Sequence, residues 1–408
     1  MNQQNYEARD DKNYYKYDQY GNNPMPALGP IGLIGLKGAR DFSNRVNDYL
    51  VQRRAEYLEA APDAEDSIGF LREDYHIPVN TFRFSSGEGK AVIENTIRGH
   101  DLYLLCDVTN YTVTYNLRGF DNHMSPDDHY QDLKRIILAA SGKARRINVI
   151  MPYLYEGRQH RRNARESLDC ANMLIELTNL GVSNFITFDA HDDRVANAAP
   201  TSGFENVPIT YQVMKALFNK LPDFTINSEN TMVVSPDEGA IYRTMYYSSM
   251  LGLPLGTFYK RRDYTVMKNG RNPIVAHEFL GDSVEGKNLL VIDDMISSGE
   301  SMIELSRKLK ERGAGKIFCI ATFGLFTDGL DEFNQAYEDG IISNVLCTNL
   351  IYRSPELLAA PWYIDVDMAK FVALLIDAMN HNASLSTLID PTVKINTLLE
   401  KRRQAGCD

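Results

Sequence analysis

Cysteine is scarce in this chain of 408 residues and badly placed for cross-linking: Cys106, Cys170, Cys319, Cys347 and Cys407 are odd in number, far apart and never in a C-x-x-C pair. The pattern excludes a disulfide scaffold and a cysteine-built zinc site, and reads most of the thiols as small core residues. Long apolar runs are missing too. No stretch of 18 uncharged apolar residues occurs, so nothing has the pattern of a membrane-spanning helix. The first residues lack the basic and apolar blocks of a secretory signal, which sets the expectation of a cytoplasmic, unexported protein. Positive charge is also in deficit: 43 Lys and Arg face 54 Asp and Glu, a formal charge of −11. Broad electrostatic capture of nucleic acid is therefore not expected, although a local basic pocket is compatible with the balance. Neither nucleic acid nor a membrane is an expected partner.

What the chain does have is length and an apolar content of 44%, enough for two or three ordinary domains with substantial cores. Residues 1–26 are rich in Asn, Gln, Asp and Tyr, carry no apolar period and end in Asn-Pro-Met-Pro, so a mobile tail is expected there. Over 40–61, Val46, Leu50, Val51 and Leu58 recur at helical spacing. Beyond Pro78, strand-like runs at 102–106, 147–151 and 185–188 alternate with helical stretches over 127–141 and 163–180. A second series has strands at 231–235, 289–292, 317–322 and 363–366, with helices over 238–251 and 300–312. Alternation of this kind predicts parallel sheets covered by helices, hence two α/β domains in tandem. The expected division is 27–210 for an N-terminal domain and 211–383 for a C-terminal one. A closing segment, 384–408, is expected to pack its Leu385, Leu388, Ile389, Val393, Ile395 and Leu398 against a domain or a neighbouring subunit.

The segment Asn288-Leu-Leu-Val-Ile-Asp-Asp-Met-Ile-Ser-Ser-Gly-Glu-Ser301 carries the most specific chemistry. Leu289 to Ile292 read as a strand buried on both faces, and in parallel sheets ligands sit at the carboxyl edge, where Asp293 and Asp294 would emerge. Ser297, Ser298, Gly299, Glu300 and Ser301 combine hydroxyls with a flexible Gly just before the periodic run Met302, Ile303, Leu305, Leu309. Backbone N–H groups at such a helix start suit a phosphate, and the carboxylates suit sugar hydroxyls or a metal ion. The plain alternative is a strand-to-helix turn capped by Ser.

Further segments also set polar groups after strands or in loops, and their joint occurrence favours chemistry. Strand 147–151 leads into Glu156-Gly-Arg-Gln-His-Arg-Arg162, where Arg158 and Gln159 suit a phosphate or a planar base, or else a solvated helix start. Phe185-Ile-Thr-Phe-Asp-Ala-His-Asp-Asp193 ends a strand in groups able to converge on a divalent cation. A single His is more often structural and Mg²⁺ prefers oxygen, so spacing alone leaves His191 open between the two readings. Met232-Val-Val-Ser-Pro-Asp-Glu-Gly239 sets Asp237 at another strand edge, where the plain reading is a helix cap. Tyr259-Lys-Arg-Arg-Asp263 and the aperiodic stretch 264–272 read as a mobile loop with three consecutive cations, suited to an anionic transition state or simply to solvent. Phe82-Arg-Phe-Ser-Ser-Gly-Glu-Gly89 offers a stackable Phe84 and the acceptor Glu88, enough to read a purine, or else a turn.

With these segments in this order the chain resembles the ribose-phosphate pyrophosphokinases, also called phosphoribosyl pyrophosphate synthetases, over about residues 80–395. The family's phenylalanine-serine-acid-glycine-glutamate segment is similar to 84–88, its tyrosine-then-arginine-glutamine segment to 155–162, and its aspartate-x-histidine loop to 189–192. Its serine-proline-aspartate edge is similar to 235–239, its lysine-arginine-arginine loop to 260–262, its phosphoribosyl loop to 293–301, and Thr348-Asn349 is similar as well. The resemblance implies two tandem phosphoribosyltransferase-type domains, each a mainly parallel sheet flanked by helices, assembled as a homo-oligomer, dimer or hexamer. It implies transfer, with Mg²⁺, of the β,γ-diphosphoryl group of ATP to the C1 hydroxyl of ribose 5-phosphate. By the same carry-over, Lys260 and Arg262 are catalytic, while His191 and Asp237 hold Mg²⁺. Phe84, Ser86, Gly87, Glu88, Arg158 and Gln159 hold ATP. Asp293 and Asp294, with Ser297, Ser298, Gly299, Glu300 and Ser301, hold ribose 5-phosphate.

Departures from the family pattern are as informative. Ser86 stands where an acid is usual and His160 where Asp is usual, both in the nucleotide segments. In the ribose loop Ser297 replaces a frequent Asp, Ser298 and Ser301 replace Thr, and Glu300 replaces a small residue. Serine keeps the hydroxyl. A Glu300 carboxylate turned toward a bound phosphate would repel it by roughly 1–4 kcal/mol, whereas a first helical residue facing solvent would not. These changes motivate a second expectation, a catalytically weak member that binds and regulates an active synthetase. A one-domain phosphoribosyltransferase is a poorer fit, because it needs neither the duplicated domain nor the Arg158-Gln159 and Lys260 segments.

Overall fold

The computed structural model describes residues 27–60, 69–162, 164–262 and 274–404. In chain order the first half contains β1 (Ile31–Gly35), α1 (Arg40–Ala60), β2 (Val79–Arg83), β3 (Gly89–Ile93), β4 (Asp101–Leu105), β5 (Thr114–Leu117), β6 (Phe120–His123), α2 (Pro126–Ala140), β7 (Arg146–Ile150), α3 (Asp169–Asn179), β8 (Asn184–Phe188) and β9 (Gly203–Val207). The second half begins with α4 (Thr210–Lys220), β10 (Thr231–Ser235), α5 (Ile241–Leu251), β11 (Leu255–Arg262), β12 (Ile274–Leu280), β13 (Asn288–Ile296), α6 (Glu300–Glu311) and β14 (Ile317–Gly324). It closes with α7 (Asp331–Glu338), β15 (Asn344–Thr348), α8 (Pro355–Ala359), β16 (Tyr363–Val366), α9 (Ala369–Asn380), α10 (Ser386–Ile389) and α11 (Thr392–Gln404).

The chain divides into two compact units after Pro208. In the first, β1-β4-β7-β8-β9 form a sheet whose strands all run parallel. Every residue of β4 is buried, as expected for a strand covered on both faces. Leu102 and Leu104 join a core with Leu133 and Ile137 of α2 and Leu174 of α3. Ser125 starts α2 with a capping box, its Oγ accepting from the Asp128 N–H while Asp128 accepts from the Ser125 N–H. Two short hairpins, β2–β3 and β5–β6, stand apart from this sheet.

Asn349–Tyr352 and Asp367–Asp390 also belong to the first unit, although 211–383 was expected to form one C-terminal domain. The physical reason lies in α9, which is apolar nearly all round and buried along its length, and such a helix needs cover on every side. Its one carboxylate, Asp377, is fully buried and is met by Arg53 Nε at 2.8 Å and Arg54 Nε at 3.1 Å from α1. Burial drives that carboxyl upward, and the two guanidiniums offset the drive.

In the second unit the order is β12-β11-β10-β13-β14-β15-β16, parallel throughout except for the antiparallel β11–β12 pair. Leu289 and Val291 pack with Met302, Leu305 and Leu309 of α6 in its core. Trp362, Phe333 and Phe326 form an aromatic group beside them, with Trp362 stacked on Phe333 at 5.3 Å. The closing segment divides: α10 goes with the first unit and α11 with the second, where Ile395 is fully buried and Arg402 donates to the carbonyls of Leu221 and Pro222.

The α/β class with mainly parallel sheets stands, and so do the free, buried Cys106, Cys170, Cys319 and Cys347. One local expectation is corrected. The backbone of Lys260, Arg261 and Arg262 is not loop but the end of β11, paired with β12 through Lys260↔His277. The stretch 264–272 and the tail 1–26 lie outside the described residues.

Candidate functional site

The segment 288–301 begins on the middle strand of the second unit, β13. β13 runs on through its acid pair to Ile296, with Asp293 opposite Ala321 and Ile296 opposite Gly324 of β14, so the carboxylates lie within the last turns of the ladder rather than beyond it. Asp294 is buried and Asp293 half-buried. Burial and the neighbouring Asp294 carboxylate raise Asp293 well above the usual range, while the Arg243 guanidinium of α5 pulls the other way. The chain then turns through Ser297 and Ser298. Gly299 makes the turn at φ +94°, where a Cβ would meet the buried Phe333 ring at 2.2 Å, so no other residue fits. Its carbonyl accepts from the N–H groups of Met302 and Ile303, and α6 starts at Glu300, which is exposed, as is Ser301. The first N–H groups of a helix have no partner within it, which leaves this turn able to receive an anion.

At the end of β10 the Ser235 hydroxyl donates to the Asp237 carbonyl at 2.7 Å, and Asp237 Oδ1 accepts from the Gly239 N–H at 2.9 Å. The carboxylate thus shapes the turn into α5 without capping the helix, whose N-cap position is Ala240 and carries no side-chain cap. The side chains of Lys260 and Arg262 lie outside the described residues.

In the first unit, Phe84 to Glu88 form the β2–β3 turn, closed by Phe84 N–H to the Glu88 carbonyl at 2.7 Å, with Gly87 at φ +96°. Ser86, the residue in place of an acid, donates to Glu88 Oε2 at 2.7 Å, and Phe84 is exposed. Arg158 and Gln159 are exposed on the turn after β7. Tyr155 anchors that turn by stacking on Tyr130 at 4.5 Å and donating to Asp127.

The loop after β8 is tightly held. Asp189 adopts φ +45° and donates its N–H to the Val207 carbonyl, and Ala190 N–H donates to Asn206 Oδ1 at 2.9 Å. His191, next in line, is exposed. Asp192 accepts from Arg194, whose guanidinium, more than any other group, holds the carboxyl well below its usual range. Asn206, Arg194 and Arg243 were missed in the sequence. Asn206 lies on β9, whose Gly-Phe-Glu-Asn-Val has no clean alternation, and a lone Asn or Arg carries no spacing signal. Among the described residues no group of three or more His, Cys, Asp or Glu forms a metal cage, and no helix is long and apolar enough to cross a membrane.

Acid pair, helix-start turn and sheet order together belong to a two-unit, mainly parallel α/β protein. Residues 33–181 match the model of the N-terminal domain of ribose phosphate pyrophosphokinase, and residues 263–390 match that of the phosphoribosyl synthetase-associated domain. Among similar proteins are the ribose-phosphate pyrophosphokinases of Mycoplasma pneumoniae, 28% identical over 75% of this chain and 85% of the relative, and of Vibrio cholerae, 27% identical over 76% and 90%. The crystal structure of phosphoribosylpyrophosphate synthetase from Mycobacterium smegmatis shares the fold, with a TM-score of 0.66 at 19% identity over 87% of this chain and all of that one. The chain belongs to the ribose-phosphate pyrophosphokinase family, a family of diphosphotransferases.

Proposed function

We propose that this protein is an active ribose-phosphate diphosphokinase, converting ATP and ribose 5-phosphate to phosphoribosyl pyrophosphate and AMP. The observation that carries the reading is the loop of the second unit, in which the acid pair of β13 leads through the Gly299 turn into the start of α6. In this reading the N–H groups and hydroxyls of Ser297, Ser298, Gly299 and Ser301 take the 5-phosphate, while Asp293 and Asp294 orient the ribose hydroxyls. Phe84 stacks on the adenine, and Ser86, Gly87, Glu88, Arg158 and Gln159 hold the rest of the nucleotide. The C1 oxygen forms a bond to the β-phosphorus, the bond from that phosphorus to the bridging α,β-oxygen breaks, and the electron pair leaves with AMP. Lys260 and Arg262 offset the charge on the migrating diphosphoryl group.

Mg²⁺ fits the donors present. It takes one or two carboxylates, keeps its waters and fills its shell from substrate phosphates, which suits the half-buried Asp237; by the family resemblance the exposed His191 would also hold Mg²⁺. When bound, it neutralises phosphate charge. We also infer work in the cytoplasm as a homo-oligomer, dimer or hexamer, as in the family resembled.

Ser86 and His160 support a second reading, a weak member that regulates an active synthetase. Purified protein given ATP, Mg²⁺ and ribose 5-phosphate separates the two. Stoichiometric AMP release is expected. No AMP from the protein alone, with a changed rate when it is added to an active synthetase, would establish the regulator instead.

A further inference from the structure

His160 is one residue beyond Gln159, yet it points to the other loop of the first unit's site. Its Nε2 lies 3.3 Å from Asp192 Oδ2, with the two side chains only 13% and 15% exposed, so water screens this contact less than a surface ion pair. Asp192 is a firm anchor, because the Arg194 guanidinium and the Arg194 N–H both donate to it, at 2.8 and 2.9 Å. The His160 ring also lies 5.5 Å from the ring of His191, tilted at 54°. Its second nitrogen, Nδ1, is buried with no hydrogen-bond partner among the described residues. A buried imidazole nitrogen left unpaired opposes stability, so packing alone does not account for this ring.

We propose that His160 is a positioning residue that ties the Arg158-Gln159 segment to the His191 loop, so that nucleotide and cation bind as one coupled unit. The proposal rests on the diphosphokinase reading for the identity of those ligands. A tie already made in the free protein spares the ordering cost of bringing two loops together on binding. It also makes the coupling reciprocal: the cation tightens the nucleotide by the factor by which the nucleotide tightens the cation.

The test is the ratio of ATP dissociation constants without and with Mg²⁺, measured by calorimetry in the absence of ribose 5-phosphate. His160→Phe keeps the ring volume and loses the N–H donor; His160→Gln keeps a donor. The ratio is expected to fall about fivefold or more in H160F and to recover in H160Q. In turnover the KM for ATP rises in H160F while the KM for ribose 5-phosphate is unchanged. Adding D192N to H160F changes the ratio no further. An H160F ratio equal to wild type, an H160Q loss as large as that of H160F, or equal rises in both KM values would overturn the tie. A wild type that releases no AMP sinks the diphosphokinase reading alone, because the binding ratio is read without turnover.

Discussion

Glu300 is the residue whose identity most questioned the site, and its position answers part of the question. It is the first residue of α6 and exposed, where a carboxylate is favoured by the N–H groups of the helix start. Glu300→Gly is therefore expected to leave ribose 5-phosphate affinity within about twofold while lowering stability by roughly 1 kcal/mol, from lost helix propensity and lost dipole pairing. Isothermal titration beside a urea melt reads both; a tenfold gain in affinity would show a carboxylate turned to the phosphate. For Lys260, the family role predicts a kinetic signature. Lys260→Ala should lower turnover by roughly two to three orders of magnitude and leave ribose 5-phosphate binding mostly intact. An unchanged kcat would remove Lys260 from the mechanism.

At the scale of elements, the turn from β13 into α6 is fixed by what surrounds it. Thr327 N–H donates to the Ser297 carbonyl and Leu325 N–H to that of Ile296, and Phe333 fills the space a side chain at 299 would need. Phe333 is itself wedged between Phe326 and Trp362 and has nowhere to retreat. Gly299→Ala combines a left-handed backbone penalty with overpacking, together about 2–4 kcal/mol. Denaturant unfolding checks this, and a loss below about 1 kcal/mol would mean that the ring yields. The turn from β13 into α6 was legible because a buried strand, an acid pair and a helix start are local patterns. The extension of β11 through Lys260 was not, because a charged Lys-Arg-Arg run has no strand period and only its pairing with β12 makes it one.

For the whole molecule, the first unit depends on a helix that the chain supplies more than 150 residues after Pro208. At the end of α9, His381 donates from Nδ1 to the Asp377 carbonyl at 2.7 Å. Burial, aided by the nearby Arg54 and Arg53, lowers its pKa from 6.5 to about 4, against the upward pull of that carbonyl. The unfolded chain takes a proton near pH 6.5 and the folded one does not until about 4. Stability from the neutral ring is thus fully present above the unfolded value and is lost as pH falls across that window, by roughly 3 kcal/mol. Melts at pH 7.5, 6 and 5 should show this fall in wild type and a shallower one in His381→Gln; equal slopes would refute it.

Two βα series, the strand at 231–235, the acid pair and the helix from Glu300 were set by the sequence alone, since each rests on neighbours within a few turns of one another. Tertiary structure alone decided that α9 joins the first unit, that Asn206 holds the His191 loop, and that His160 faces Asp192. Those pairings span tens to hundreds of residues, and no local period records which distant side chain a buried Asp, Asn or His will meet.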